Sequence, residues 1–100
     1  LAELSKMETR FYEDPDTGQR HIYNHGVTED EVRQVLARPG EDRPSRDDSR
    51  TALGQTASGR YLRVIYVPDL DSDSVFVVTA YELRGQPLRA YRRRQRRRGR

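Results

Sequence analysis

Hydrophobic positions in this chain fall into short clusters separated by charged stretches, and the period within each cluster predicts an element. "TRFY" (9–12) reads as a short strand. In "GVTEDEVRQVLARPG" (26–40), Val32, Val35 and Leu36 line one side of a helix with a 3.6-residue period. Thr28 and Glu31 stand at capping-box spacing, and Val27 and Val32 at that of a hydrophobic staple. Glu29, Asp30 and Glu31 suit the positive end of the helix dipole, and Pro39 with Gly40 stops the helix. "RTALGQT" (50–56), "RYLRVIYV" (60–67) and "SVFVVTAYE" (74–82) read as three strands, rich in β-branched and aromatic residues. The turn Ala57-Ser58-Gly59 and the loop 68–74 separate them, and connections this short require antiparallel neighbours. The last of the three is the most apolar and is expected to be central.

The remaining segments carry weaker patterns. In "EDPDTGQRHIYNHG" (13–26), Asp14 as N-cap, Pro15 at the first helical position and Gly26 at the end predict a short helix. The same D-P-D-T-G run is also good turn chemistry, and Gly18 weakens a helix interior. "EDRPSRDDS" (41–49) reads as a charged loop. "PLRAYRRRQRRR" (87–98) starts as a helix with Pro87 in its first turn, and like-charge repulsion frays its second half. The expectation is an α+β domain: one or two N-terminal helices packed on one face of a mostly antiparallel sheet, then a short basic C-terminal helix. The other sheet face is left for function. Residues 7–94 form this domain, 1–6 an N-terminal extension before a start-like "METRFY", and 95–100 a flexible basic tail.

Charge changes this picture more than composition does. Residues 1–88 hold 11 basic and 16 acidic side chains, a balance of −5, whereas residues 89–100 carry +8. A basic arm on an acidic body implies a polyanionic partner. Eighteen of the 19 basic residues are arginine, whose planar guanidinium binds phosphate in two-pronged fashion. The absence of cysteine excludes disulfides, thiolate catalysis and Cys-type zinc sites. No apolar run approaches membrane-spanning length and no signal-peptide pattern opens the chain, so a cytoplasmic protein without a membrane partner is expected.

Candidate chemistry lies mainly in the arginines. Asp69, Asp71 and Asp73 alternate as a calcium loop begins, but the required glycine is Ser74 and position twelve is Ala80. His21 and His25 sit four apart without a second half of a metal motif, so no metal or other cofactor is expected. Strict alternation puts Arg60, Leu62, Val64 and Tyr66 on one face of their strand, with Tyr61, Arg63, Ile65 and Val67 on the other. In the last strand it groups Tyr81 with Val75, Val77 and Thr79, and Glu82 with Phe76, Val78 and Ala80. A bland reading makes these arginines ion pairs on a solvated sheet. A sharper one makes Arg50, Arg60 and the tail arginines a phosphate cradle beside Tyr81, Glu82, Tyr91 and a histidine. Such a cradle suits attack of an RNA 2′-hydroxyl on its own 3′-phosphate, which needs alignment, charge neutralisation and two proton transfers.

Two longer stretches carry a resemblance. "YNHGVTEDEVRQVL" is similar to the K-H-G-V-[ST]-x-E-E-A-x-x-V-F stretch of BrnT-type toxins, and "SRTALGQTASGRYLRVIYV" to their E-R-x-x-A-L-G-x-T-x-x-G-R-x-L-x-V-V-Y stretch. "VFVVTAYE" takes the place of their I-R-I-I-S-A-R strand and "RAYRRR" that of their basic final helix, so the likeness covers about residues 9–94. It implies a RelE-like fold of the RelE/ParE toxin superfamily, and metal-independent cleavage of mRNA, alone or on the ribosome, that halts translation. It also implies a cognate antitoxin protein as partner. Catalysis would fall on Arg50, Arg60, Tyr81, Glu82 and His25, and RNA binding on Tyr91, Arg89, Arg92, Arg93 and Arg94. The S-A-R arginine is Tyr81 here, Pro87 displaces the usual acidic residue of the last helix, and the N-terminal W-D is Glu13-Asp14. These departures support an alternative: a non-catalytic RelE-like nucleic-acid- or protein-binding module.

Overall fold

A computed structural model describes residues 8–69 and 73–99. The N-terminal extension 1–6, the start at Met7, and Asp71 of the aspartate loop lie outside those residues. The described chain folds as a five-stranded mixed sheet with two α-helices, an α+β architecture. The strands are β1 (Glu8–Phe11), β2 (Glu41–Pro44), β3 (Arg50–Gln55), β4 (Tyr61–Pro68) and β5 (Ser74–Glu82). The helices are α1 (Glu29–Ala37) and α2 (Gly85–Arg98), and a 3-10 helix spans His21–His25. The sheet order is β1-β5-β4-β3-β2, with β1 parallel to β5 and every other pair antiparallel. β5 is paired on both sides, but the middle of the sheet is β4.

Local chemistry accounts for α1. The Thr28 hydroxyl accepts from the Glu31 amide at 3.2 Å, and a Glu31 carboxylate oxygen accepts from the Thr28 amide at 3.0 Å. Two otherwise unpaired amide groups are thereby satisfied, and Glu29, Asp30 and Glu31 lie in the first turn. Val32, Val35 and Leu36 are buried, so the expected stripe is the face that docks.

Residues 13–26 do not form an α-helix. Asp14 opens a tight turn instead: its carbonyl accepts from the Thr17 and Gly18 amides, and its carboxylate from the Asp16 amide at 2.9 Å. Gly18 takes φ +71°, a conformation that a side chain resists, and Glu13 bridges to Arg20 across the turn. Turn chemistry therefore prevails over the N-cap reading, and only His21–His25 coil, as a single 3-10 segment.

The charged stretch 41–49 is likewise only partly a loop. Glu41–Pro44 pairs with Arg50–Leu53 as the edge strand β2, and its charged residues and Pro44 are tolerated there because one side has no neighbour.

Strict alternation fails in β5. The β4–β5 register passes from Ile65↔Thr79 to Tyr66↔Val77, so Val78 is an extra, bulged residue. The phase of the strand flips there. Val75 and Val77 before it and Ala80 after it all face the core, and Glu82 joins Leu62 on that same face. Tyr81 is turned to the opposite face beside Arg63.

The helices do not share one face. Phe11, Ile22, Val27, α1 and the inner residues Ala52, Leu62, Val64, Tyr66, Val75, Val77 and Ala80 form the main core. Burying each larger aliphatic side chain there contributes about 2 kcal/mol. On the other face α2 buries Tyr91 against Leu53 and Leu83, flanked by Tyr61 and Leu88. The face expected to be open is thus half covered. Among the described residues no helix is long and apolar enough to cross a membrane.

Candidate nucleic-acid interface

The C-terminal helix is longer and better anchored than its charge suggests. α2 runs 14 residues to Arg98, past the expected fraying point at residue 95. It lacks a side-chain N-cap, no acidic residue offsets the dipole in its first turn, and Gly85 enters at φ +62°. Docking supplies what capping does not. Arg94 donates through Nε and Nη2 to the two carboxylate oxygens of Glu41, the latter at 3.0 Å. Gln95 Nε2 and Arg98 Nη1 both donate to the Gly40 carbonyl at 3.1 Å. The arginines Arg96, Arg97 and Arg98 also lie in the last turn, where the helix dipole favours positive charge. Glu41 is 6% exposed, and its hydrogen bond from Arg94 holds its carboxyl below the ordinary value.

Gly40 is required by the fit. A Cβ there would clash with the Tyr91 hydroxyl and lie 2.9 Å from the ring carbon that bears it. Tyr91 itself is 4% exposed, and burial pushes its hydroxyl pKa up. It is therefore a packing residue, not a surface on which a base can stack. Arg94 is correspondingly a clamp on Glu41 instead of a phosphate ligand.

What the clamp leaves outside is a second set of arginines on the solvent side of α2. Arg89, Arg92, Arg93 and Arg96 follow i, i+3, i+4, i+7 spacing, which lines them along one side of the helix over about 10 Å. All four are exposed, and none forms an ion pair among the described residues. Together they line a shallow depression of about 300 Å³. Arg89 donates to Gln86, and the Arg92 guanidinium lies over the Tyr61 ring, 5.8 Å from its centroid.

The expected catalytic residues converge only in part. Arg50 Nε donates to Asp42 at 2.9 Å, and the Tyr66 hydroxyl donates to the other Asp42 oxygen at 2.6 Å. Burial and the Asp42 carboxylate push Tyr66 up to about 12. Arg50 pairs across the ladder with Tyr66, whereas Arg60 lies beyond the other end of β4. The two arginines therefore do not form one cradle. Arg60 Nη1 donates to Glu31 at 3.0 Å and to the Gly26 carbonyl at 2.8 Å, while its Nε stands 3.6 Å from Glu82. Glu82 also pairs with Arg84 at 3.0 Å, and the two arginines, Arg84 foremost, lower its pKa.

His25, Arg60, Tyr81 and Glu82 do share one end of the sheet. The His25 and Tyr81 rings stand 5.8 Å apart, edge to face, in a row that continues through His21 to Tyr12. On the outer side Arg63 Nη1 is 3.4 Å from the Tyr81 hydroxyl. Arg63 Nε and Thr79 Oγ1 are buried there without a hydrogen-bond partner among the described residues.

Sequence reasoning passed over Arg63, Tyr61 and Glu41. Only the cross-strand register exposes Arg63, and Glu41 stands 53 residues from Arg94, beyond any local pattern. Arg96 was also passed over, with Arg94 named beside Arg89, Arg92 and Arg93, although the i, i+3, i+4, i+7 spacing of the four exposed arginines was there to read.

No curated protein and no solved structure matches the chain. A family match spans residues 18–82, from the Asp14 turn through the end of β5, and leaves α2 outside it. The chain belongs to that family, described as a domain of unknown function (DUF4258).

Proposed function

We propose that this protein binds RNA through the arginine stripe of α2. The observation that carries the reading is the division of labour on that helix. Arg94 and Arg98 are turned inward onto Glu41 and Gly40, while Arg89, Arg92, Arg93 and Arg96 meet solvent with no carboxylate beside them among the described residues. A rigid row of unneutralised guanidiniums is the arrangement that gains from releasing the counterions of a phosphate backbone. Four contacts to a single strand give a slope of log K against log salt of about −3, and about a fifty-fold loss of affinity between 50 and 200 mM salt. Fluorescence anisotropy with a labelled RNA oligonucleotide measures both. Replacing the four arginines by glutamine should abolish nearly all of that slope. An unchanged slope would remove the stripe from the interface.

A second reading is a RelE-like endoribonuclease toxin that cleaves mRNA without a metal and is held in check by a cognate antitoxin. The meeting of His25, Arg60, Tyr81 and Glu82 at one sheet end favours it, since these groups supply proton transfer and charge stabilisation. The resemblance to BrnT-type toxins supports the same reading. Labelled mRNA incubated with the protein, with and without ribosomes, tests it. Discrete fragments that vanish in His25→Ala and Tyr81→Phe are expected, and intact RNA in both conditions would leave only the binding module.

A further inference from the structure

Beside the stripe lies a cleft whose chemistry goes further than holding phosphates. Gln55, Tyr61, Tyr91, Arg92, Gln95 and Arg96 line it, and it encloses about 390 Å³. Its apolar wall is Tyr61, which is half-buried and meets the Tyr91 ring edge to face, with centroids 6.1 Å apart. The planar Arg92 guanidinium lies over the Tyr61 ring, 5.8 Å from its centroid. Arg92 and Arg96 belong to the phosphate stripe as well, so the cleft and the stripe share a border.

The polar lining is selective. Gln55 Nε2 donates to the Gly59 carbonyl at 3.2 Å, and Gln95 Nε2 to the Gly40 carbonyl at 3.1 Å. Both carboxamide nitrogens are thus held by backbone. The two side-chain carbonyl oxygens receive no hydrogen bond among the described residues and remain acceptors. A space bounded by an aromatic ring and guanidiniums, with two amide acceptors at its side, suits a flat heterocycle bearing amino groups.

We propose that this cleft takes one unpaired base of a single-stranded RNA whose backbone crosses the α2 stripe, and that it prefers bases with an exocyclic amino group over uracil. The inference rests on the RNA-binding reading and adds base selection to it. The base stacks with Tyr61 and Arg92 and donates its amino hydrogens to Gln55 and Gln95. Uracil has no amino group and only its single imide N3–H to donate, so it answers at most one of the two acceptors. A duplex has its bases stacked and paired, so it reaches only the arginines.

The test compares labelled oligo(A), oligo(C), oligo(U) and an abasic strand of equal length against the full protein, by anisotropy at fixed salt. Oligo(A) and oligo(C) should bind about tenfold tighter than the abasic strand, with oligo(U), which stacks but donates fewer hydrogen bonds, between them. Tyr61→Leu should remove most of that advantage while leaving abasic affinity and the salt slope in place. A folding defect would lower both affinities together, and Gln55→Ala, at an exposed position, gives an independent variant that should narrow the gap between oligo(A) and oligo(U). Equal affinity for all four strands, with a normal salt slope, would overturn base selection and leave the stripe as the whole interface. Absence of binding to every strand would remove the RNA-binding reading and the base cleft together.

Discussion

Replacing Glu41 by glutamine should release the C-terminal helix from the sheet. Its carboxylate is 6% exposed and accepts two hydrogen bonds from the Arg94 guanidinium, with Arg43 a further 3.5 Å away. Charge-assisted hydrogen bonds contribute about 1.5–3 kcal/mol each, which sets an upper bound near 6 kcal/mol for the pair. Arg94 is 36% exposed in its side chain, so solvent screens one end and the net loss falls to about 2 kcal/mol. For a domain of this length that is about 10 °C in Tm. Circular dichroism melts of wild type and Glu41→Gln at pH 7 measure it directly. The pH dependence supplies the sharper test. The folded-state pKa of Glu41 is lowered by Arg94, so its stabilisation is complete above the unfolded value of about 4.3 and disappears as pH falls through the depressed folded value. The gap between wild type and variant should therefore close as the solution is acidified from pH 5 to pH 3. A difference under about 0.5 kcal/mol at pH 7, or one that persists unchanged at pH 3, would show that the clamp does not hold α2.

Three further outcomes follow from geometry already described. Gly40→Ala forces a methyl group into the Tyr91 hydroxyl and should destabilise the protein by at least about 2 kcal/mol in urea titration, with partial recovery when Tyr91→Leu is added. Thr28→Ala removes the hydroxyl that accepts from the Glu31 amide, keeps the backbone bond to the Glu31 carboxylate, and should cost about 1 kcal/mol, seen as a lower denaturation midpoint at unchanged slope. Tyr66 should be the last tyrosine to ionise in an absorbance titration, at about pH 12, and the Tyr66→Phe variant should lack that step. Because its folded pKa is raised, the stability it contributes is full below pH 10 and lost as pH climbs towards 12.

Parts of this architecture were readable from local sequence and parts were not. The start of α1 was readable because Thr28, Glu31, Val32 and Val35 act within a turn or two of each other. β3, β4 and β5 were readable because β-branched residues suit a pleated, half-buried surface. β2 was not, since Glu-Asp-Arg-Pro has no apolar residue and becomes a strand only by pairing with β3 and receiving Arg94. The bulge at Val78 was equally hidden, and it reversed the faces assigned to Tyr81 and Glu82. At the site, the basic character of α2 was plain, but which arginines serve the fold was not. Tyr91 reads as an exposed stacking residue in a run of charge, yet it faces the sheet with Leu88 and Gln95. Arg50 and Arg60 read as a pair, yet carboxylates from β2, α1 and β5 neutralise each of them separately.

The parallel pairing of β1 with β5 gives the order of assembly an asymmetry. β2, β3, β4 and β5 each meet a neighbour a short turn away and can zip together as they leave the ribosome. β1 leaves first and must wait, because Thr9 and Phe11 take their places beside Val75 and Val77. Until the N-terminal strand returns, one side of β5 presents unpaired backbone groups along its most apolar segment. Another extended chain can occupy that groove in the interval, so the nascent protein is most open to wrong partners just before β1 reaches β5.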